Sequence, residues 1–156
     1  MIGYVDNKTY VETNIKETIN NFVVNFLFPQ AVIKLNIDYM KKIRFGRILN
    51  ISSIGVKFGG GINNYNYSLS KYASEFVPQF FKKISKDNIF INNLRLGLID
   101  TKLHNKIDKK NMKKRIGLIP IKKIANPEEI IEIIYYLSSN KNTFVNLETV
   151  TVAGGE

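Results

Sequence analysis

The sequence predicts an α/β fold in which a parallel sheet is covered by crossover helices. Three short runs, at 47–52, 89–96 and 149–152, have the length of strands and are rich in apolar and β-branched residues. Stretches with helical spacing of apolar residues alternate with these runs. Parallel neighbouring strands need a long crossover connection between them, and this alternation of strand and helix supplies one.

The first predicted element is a long helix over 15–43. Its apolar residues recur at the spacing of one helix face: Ile15, Ile19, Phe22, Val23, Phe26 and Leu27. Pro29 should bend or restart the helix, because proline removes a helical hydrogen bond. Gly46 ends this element, and the strand over 47–52 follows.

A glycine-rich loop with Gly55, Gly59, Gly60 and Gly61 leads into a second helix over 65–86. Pro78 lies awkwardly inside that helix. The strand over 89–96 comes next and is closed by Gly97. A lysine-rich helix or flexible segment is expected over 103–116.

Asn126 and Pro127 then resemble a capped helix start that continues through Leu137. The strand over 149–152 ends the pattern, before Gly154 and Gly155. No repeat, low-complexity run or linker divides the 156 residues, so we expect one structural unit over 1–156.

The composition excludes several kinds of chemistry. Zero cysteines rule out disulfides, thiolate ligands and cysteine nucleophiles. His104 is the single histidine, so a histidine metal cluster is impossible and no metal site is expected. The longest apolar stretch, at 22–33, is too short to span a bilayer, and the first residues lack the features of a signal peptide. We therefore expect a cytoplasmic protein that does not enter membranes.

The net charge of +10 raises the alternative of a basic nucleic-acid-binding module. However, 19 of the 23 basic residues are Lys and only 4 are Arg, the residue preferred for bidentate contacts to bases and phosphates. Lys, Ile and Asn, all encoded by A/T-rich codons, make up 61 of the 156 residues. Codon bias and solvated lysines therefore account for the charge, and no nucleic-acid partner is expected.

Tyr67 and Lys71 carry the chemistry that the sequence suggests. Their spacing of four residues places both side chains on one face of the second helix. A phenol titrates near pH 10, and a nearby ammonium group lowers that pKa, so the pair could act as an acid/base. Ser53, just past the first strand, could donate a hydrogen bond to a substrate carbonyl oxygen.

With this context the chain resembles the short-chain dehydrogenase/reductase family. The similarity involves Asn25, the run from Gly46 to Ser53, the Tyr67–Lys71 motif, Asn92, the Gly97–Thr101 turn, the run from Ala125 to Ile130, and the terminal Gly154-Gly155. The matching elements occur in the family's order over nearly all of the chain. The resemblance implies part of a doubly wound, Rossmann-like parallel sheet.

The resemblance also implies roles for individual residues in an NAD- or NADP-dependent interconversion of a carbonyl and an alcohol. Tyr67 corresponds to the catalytic acid/base, and Lys71 to the residue that lowers its pKa and holds the nicotinamide ribose. Ser53 would orient the carbonyl, and Asn25 would hold a water in a proton relay. Gly97, Ile99 and Thr101 would form the turn against the nicotinamide. Family members are often oligomeric, so a homo-oligomer is expected.

Three details depart from the family pattern. Ser53 and Tyr67 are 14 residues apart, one more than the commonest spacing, and the glycine-rich loop can absorb the difference. Leu96 stands where the family usually has proline. Ser52 neighbours Ser53, so the serine could be misassigned by one residue.

The family's glycine-rich dinucleotide-binding turn does not precede these elements. We therefore expect the chain to be the C-terminal portion of a family member, doubtful as a stand-alone catalyst and unable to bind a dinucleotide tightly alone. The alternative is a non-catalytic remnant, or a subunit that needs a complementary N-terminal chain. The lysine-rich segment after the Gly97 turn would favour an anionic small-molecule substrate.

Overall fold

The structure, a computed structural model, describes residues 3–101 and 109–156. Helix α1 (Ile15–Phe22) begins with a capping box in which Asn14 and Glu17 exchange hydrogen bonds, and α2 (Phe28–Ile43) continues in the same direction. A single π turn, Val23–Leu27, joins the two helices. The predicted helix is therefore confirmed over its length.

The prediction that Pro29 bends or restarts the helix is confirmed as a restart, since the π turn Val23–Leu27 precedes Pro29 and α2 begins at Phe28. Proline has no N–H to donate to the carbonyl four residues earlier, which is that of Asn25. Ser74 Oγ, from another helix, donates to the Asn25 carbonyl at 3.0 Å. Pro29 lies in the first turn of α2, where its missing N–H costs little.

The sheet has three parallel strands in the order β1-β2-β3: β1 (Gly46–Ser53), β2 (Ile89–Leu96) and β3 (Thr149–Val152). All three coincide closely with the predicted runs. The register pairs Ser53 with Leu96 and Leu96 with Val152, so the carboxyl ends of the strands meet at one edge of the sheet.

Helices cover both faces of this sheet. On one face Ile48, Ile89 and Ile91 pack with residues of α2 and of α4 (Gln79–Ile84). On the other face Leu94 and Leu96 pack with Ile130 and Leu137 of α6 (Glu128–Ser138). The alternation of side chains along β2 supplies both cores, as expected for a strand buried on two sides.

The second predicted helix is interrupted. Helix α3 (Tyr65–Ser74) ends before Pro78, which has extended backbone angles and starts α4. A short 3₁₀ turn, Ser85–Asp87, follows α4. The prediction of one continuous helix over 65–86 is wrong, because the Pro78 ring cannot be accommodated inside it.

Two predictions near the end of the chain have different outcomes. Helix α5 (Lys109–Leu118) forms the second part of the lysine-rich segment, and residues 102–108 with His104 lie outside the described residues. Helix α6 starts at Glu128 without a side-chain cap, so the predicted capping by Asn126 is wrong. Instead the Glu129 carboxylate accepts the Asn126 backbone N–H at 2.8 Å.

Two further findings concern the described ranges, 3–101 and 109–156. No helix in them has the length and apolar character needed to cross a membrane. No group of three or more His, Cys, Asp or Glu side chains in them could hold a metal ion.

Candidate active site

Tyr67 and Lys71 lie side by side on α3, next to the carboxyl end of β1. The Lys71 Nζ is 5.8 Å from the centroid of the Tyr67 ring. Lys71 is only 7% exposed, and its ammonium group donates to the Ile51 carbonyl of β1 at 2.8 Å. That bond uses one of the three ammonium protons, so Lys71 has donors left for a further group.

Ser53 is the last residue of β1, and its side chain reaches Tyr67. The Ser53 hydroxyl lies near enough to the Tyr67 phenol to oppose the rise in its pKa, and Ser53 Oγ accepts the Gly55 backbone N–H at 3.2 Å. Ser52 is buried and donates to a Glu75 carboxylate oxygen at 2.6 Å. The geometry therefore favours Ser53 over Ser52 as the partner of Tyr67.

Burial controls the protonation of this pair. It raises the pKa of Tyr67, because a phenolate is poorly solvated there, and the nearby Ser53 hydroxyl opposes this rise only in part. Burial also lowers the pKa of Lys71. In the pKa of Tyr67, burial therefore outweighs the lowering that the sequence predicts from Lys71.

Asn25 packs against α3, but its side chain is already engaged. Its amide exchanges two hydrogen bonds of 2.9 Å with the backbone of Tyr4 and donates to Ser70 Oγ at 3.0 Å. A cavity of about 240 Å³ lies beside it, lined also by Lys71 and by Asn50 and Ile51 of β1. The water-holding role of Asn25 stays a prediction, and this cavity is the space in which a water could lie.

The turn after β2 lies beside Ser53 in the sheet register. Gly97 directly follows Leu96, the register partner of Ser53, and a Cβ at Gly97 would come within 2.7 Å of Ala153 Cα. Ile99 forms a parallel bridge to Ala125, whereas Thr101 is exposed at the end of the described segment. Glycine is therefore required at 97, and Leu96 fills the core where the family usually has proline.

The glycine-rich loop between β1 and α3 does not form a phosphate cradle. The Gly60 N–H donates to the Gly55 carbonyl at 2.7 Å, and the Gly61 N–H donates to Asn64 Oδ1 at 2.6 Å. Gly60, at φ +86°, lies so close to Ser68 that any Cβ would clash with its side chain. Because these amides are bonded within the loop, they are not free to bind a pyrophosphate.

A buried polar cluster behind Tyr67 is not apparent from the sequence. Asp6 Oδ2 accepts hydrogen bonds from Asn21 at 3.1 Å and from Asn66 at 2.6 Å, and Asn66 directly precedes Tyr67. Thr18 also donates to Asn66, at 2.9 Å. These partners are up to 60 residues apart, so no local spacing could have indicated them.

The buried phenol gives a prediction about alkaline stability. An unfolded tyrosine ionises near pH 10, whereas the folded Tyr67 has a raised pKa. The stability it contributes is therefore fully present below pH 10 and is lost as the pH rises toward its folded pKa. Between pH 9 and 11 the free energy of unfolding should fall more steeply for the wild-type chain than for Tyr67→Phe.

Urea unfolding at a series of pH values measures this difference. Tyr39→Phe is the matched control, because Tyr39 is 62% exposed. Equal slopes for wild type and Tyr67→Phe would contradict the buried phenol.

Comparison with known proteins agrees with these motifs. A family model described as enoyl-(acyl carrier protein) reductase matches residues 1–156. The 3-oxoacyl-[acyl-carrier-protein] reductase of Buchnera aphidicola subsp. Schizaphis graminum is 30% identical over 154 residues, which are 98% of this chain and 63% of the relative. The corresponding reductase of Aquifex aeolicus is 27% identical over 154 residues, covering 98% and 62% of the two chains.

Solved structures show the same fold. The 3-oxoacyl-[acyl-carrier protein] reductase of Brucella melitensis superposes with a TM-score of 0.91 at 24% identity, covering 99% of this chain and 60% of that one. A 3-oxoacyl reductase of Agrobacterium tumefaciens with NADP bound gives 0.90 at 20% identity, covering 99% and 61%. These superpositions confirm the predicted Rossmann-like parallel sheet. The chain spans about 60% of the length of the proteins it matches.

Proposed function

The chain belongs to the short-chain dehydrogenase/reductase family, and we propose that it supplies the catalytic half of an NAD(P)-dependent oxidoreductase. The reaction is the interconversion of a carbonyl and an alcohol, with Tyr67 as the acid/base. The observation that carries this proposal is the meeting of Ser53, Tyr67 and Lys71 at the carboxyl end of β1.

The protonation of these groups suits the reductive direction. Because burial raises its pKa, Tyr67 is a neutral phenol at pH 7 and can donate its proton to a carbonyl oxygen. Ser53 is held at the end of β1, where its hydroxyl can donate to the same oxygen as negative charge develops there. The nearby Lys71 ammonium stabilises the phenolate that remains after the proton has left.

The site fits one end of a nicotinamide cofactor. Lys71 has spare donors for the ribose hydroxyls. Tyr67, Gly97, Ile99 and Thr101 would border the nicotinamide, and the cofactor would supply the hydride. The pyrophosphate end does not fit, since within the described residues no strand with a glycine-rich turn precedes β1, and the amides of the loop after β1 are bonded internally.

We further propose that a glycine-rich dinucleotide-binding segment complements this chain. Within the described residues β1 pairs with β2 along one edge, and no strand pairs along its other edge. The cavity beside Lys71 lies along that edge, at Leu49, Asn50 and Ile51. An unpaired edge presents backbone donors and acceptors to a further strand. In the second candidate function the chain is a subunit that is inactive until this partner joins it.

The substrate class proposed is a 3-oxoacyl thioester on an anionic carrier. The relatives are named for 3-oxoacyl groups on acyl carrier protein. Helix α5, which follows the Gly97 turn, carries the basic residues Lys113, Lys114 and Arg115. The proposed cofactor is NAD or NADP. The proposed location of the protein is the cytoplasm.

A homo-oligomer is also part of the proposal. Apolar side chains repeat every four residues along one side of α1 and the π turn and are exposed: Ile15, Ile19, Val23 and Leu27. A second copy of the chain could cover this stripe, because a continuous exposed apolar surface usually marks an interface.

The experiment that tests the proposed function is a reductase assay of a complemented protein. In this fusion the chain follows the glycine-rich dinucleotide-binding segment of a relative. We expect NADPH oxidation that depends on a 3-oxoacyl thioester, and none from the 156-residue chain alone. The proposal is overturned if a folded fusion that binds NADPH reduces neither a 3-oxoacyl thioester nor a simple ketone.

A further inference from the structure

A charged cluster next to the candidate site links β1, α3 and β2, the three elements that carry or lead to the residues of the site. Glu75 follows the last residue of α3, the helix of Tyr67 and Lys71. Its Oε1 accepts hydrogen bonds from Ser52 of β1, at 2.6 Å, and from Arg95 Nε of β2, at 2.9 Å. Arg95 also donates to Oε2 through its terminal nitrogen, so the ion pair is bidentate.

The cluster lies at the point where the sheet meets the site. Ser52 and Arg95 are register partners in the β1–β2 ladder, and their successors Ser53 and Leu96 are the last pair of that ladder. Ser53 is the residue of β1 that influences the pKa of Tyr67, and Gly97 follows Leu96. One carboxylate thus joins the strand end of Ser53, the helix of Tyr67 and Lys71, and the strand end that leads into the Gly97 turn.

The cluster is sheltered enough to hold a fixed geometry. The side chains of Glu75 and Arg95 are 11% and 21% exposed, and Ser52 is buried. The backbone of Glu75 is also held in place, since its carbonyl accepts a hydrogen bond from Asn93 Nδ2 at 2.9 Å. A largely buried ion pair adds little net stability, whereas the bidentate geometry of its hydrogen bonds defines how its two partners are oriented.

We propose that Glu75, held by Arg95, is a positioning residue that fixes Ser53 against Tyr67 through its hydrogen bond to Ser52. The inference rests on the proposed function, because Ser53 and Tyr67 matter as a pair only if the site reduces carbonyls. Glu75 touches neither substrate nor cofactor in this account and acts through β1.

The test follows the Tyr67 side chain directly in the 156-residue chain, without cofactor. The tyrosines are labelled with ¹³C at Cζ, and Tyr67→Phe assigns the Tyr67 resonance. Ser52→Ala removes the link between the carboxylate and β1 but leaves the Glu75–Arg95 ion pair intact. We expect this variant to move the Tyr67 resonance and to raise the Tyr67 pKa further, because Ser53 no longer supports the phenolate.

Ser138→Ala is the matched control, since Ser138 donates an equally short bond, 2.6 Å, to Ile134 on α6, away from the site. Glu75→Gln is the second variant and should move the same resonance. A Tyr67 resonance that stays at its wild-type position in Ser52→Ala overturns the proposal, even where stability falls. If neither variant folds, the cluster is a structural element and the proposal is also overturned.

The outcome is independent of the reductase assay. An inactive complemented protein would overturn the proposed function. It would not decide whether Ser52→Ala moves the Tyr67 resonance. If Ser52→Ala leaves the Tyr67 resonance in place and the complemented protein is fully active, only the positioning role of Glu75 is overturned.

Discussion

Replacing Tyr67 by phenylalanine is expected to lower kcat for carbonyl reduction by the complemented protein about 10²- to 10⁴-fold, the usual contribution of a positioned acid/base. The variant loses only the hydroxyl that donates the proton. The ring beside Lys71 is kept, so packing of α3 should be preserved. KM should change little, since the loss is confined to the transition state.

Steady-state kinetics with NADPH and a 3-oxoacyl thioester measure this effect. Tyr72→Phe is the control, because Tyr72 is on the same helix next to Lys71 but is 65% exposed. It should retain wild-type kcat. A Tyr67→Phe variant that keeps wild-type kcat would remove Tyr67 from the mechanism.

The second large effect concerns cofactor binding. The 156-residue chain alone should bind NADPH with a Kd weaker than about 1 mM, which corresponds to roughly 4 kcal/mol. Only the nicotinamide end of the site is formed, and the loop amides that could hold phosphate are bonded internally. Fluorescence titration of NADPH should give a Kd at least about 100-fold lower for the complemented protein, in the micromolar range typical of enzyme ligands.

A pair of lysine variants separates specific from electrostatic binding in that titration. Lys71→Met should weaken NADPH binding by the complemented protein, because it removes the donor for the ribose. Lys86→Met should not, since Lys86 is exposed on the 3₁₀ turn after α4. Micromolar affinity of the chain alone would show that the pyrophosphate is held by residues that this account does not use.

Features governed by short-range sequence signals were predictable. Strand β2 coincides with its predicted run because its apolar residues supply both cores and Gly97 must end it against Ala153. Tyr67 and Lys71 were predictable as a pair, since a four-residue spacing on a helix fixes their proximity. The break at Pro78 was signalled by the proline itself, although the extent of the helix was overestimated.

Features governed by distant partners were not predictable. The contact between the π turn and α3 is one example, since Ser74 bonds to the Asn25 carbonyl from 49 residues away. The raised pKa of Tyr67 depends on burial that the helix spacing does not reveal. The Glu75–Arg95 pair also escapes sequence patterns, since its members are 20 residues apart on different elements.

The central claim is that Ser53, Tyr67 and Lys71 form a carbonyl-reducing site once a dinucleotide-binding segment is present. Its most direct test gives the complemented protein NADPH deuterated at the transferable position, together with a 3-oxoacyl thioester, and analyses the product by mass spectrometry. The account predicts a 3-hydroxyacyl product with one deuterium at the former carbonyl carbon, formed by the wild type and nearly absent with Tyr67→Phe. A folded, NADPH-binding wild type that yields no deuterated alcohol would contradict it.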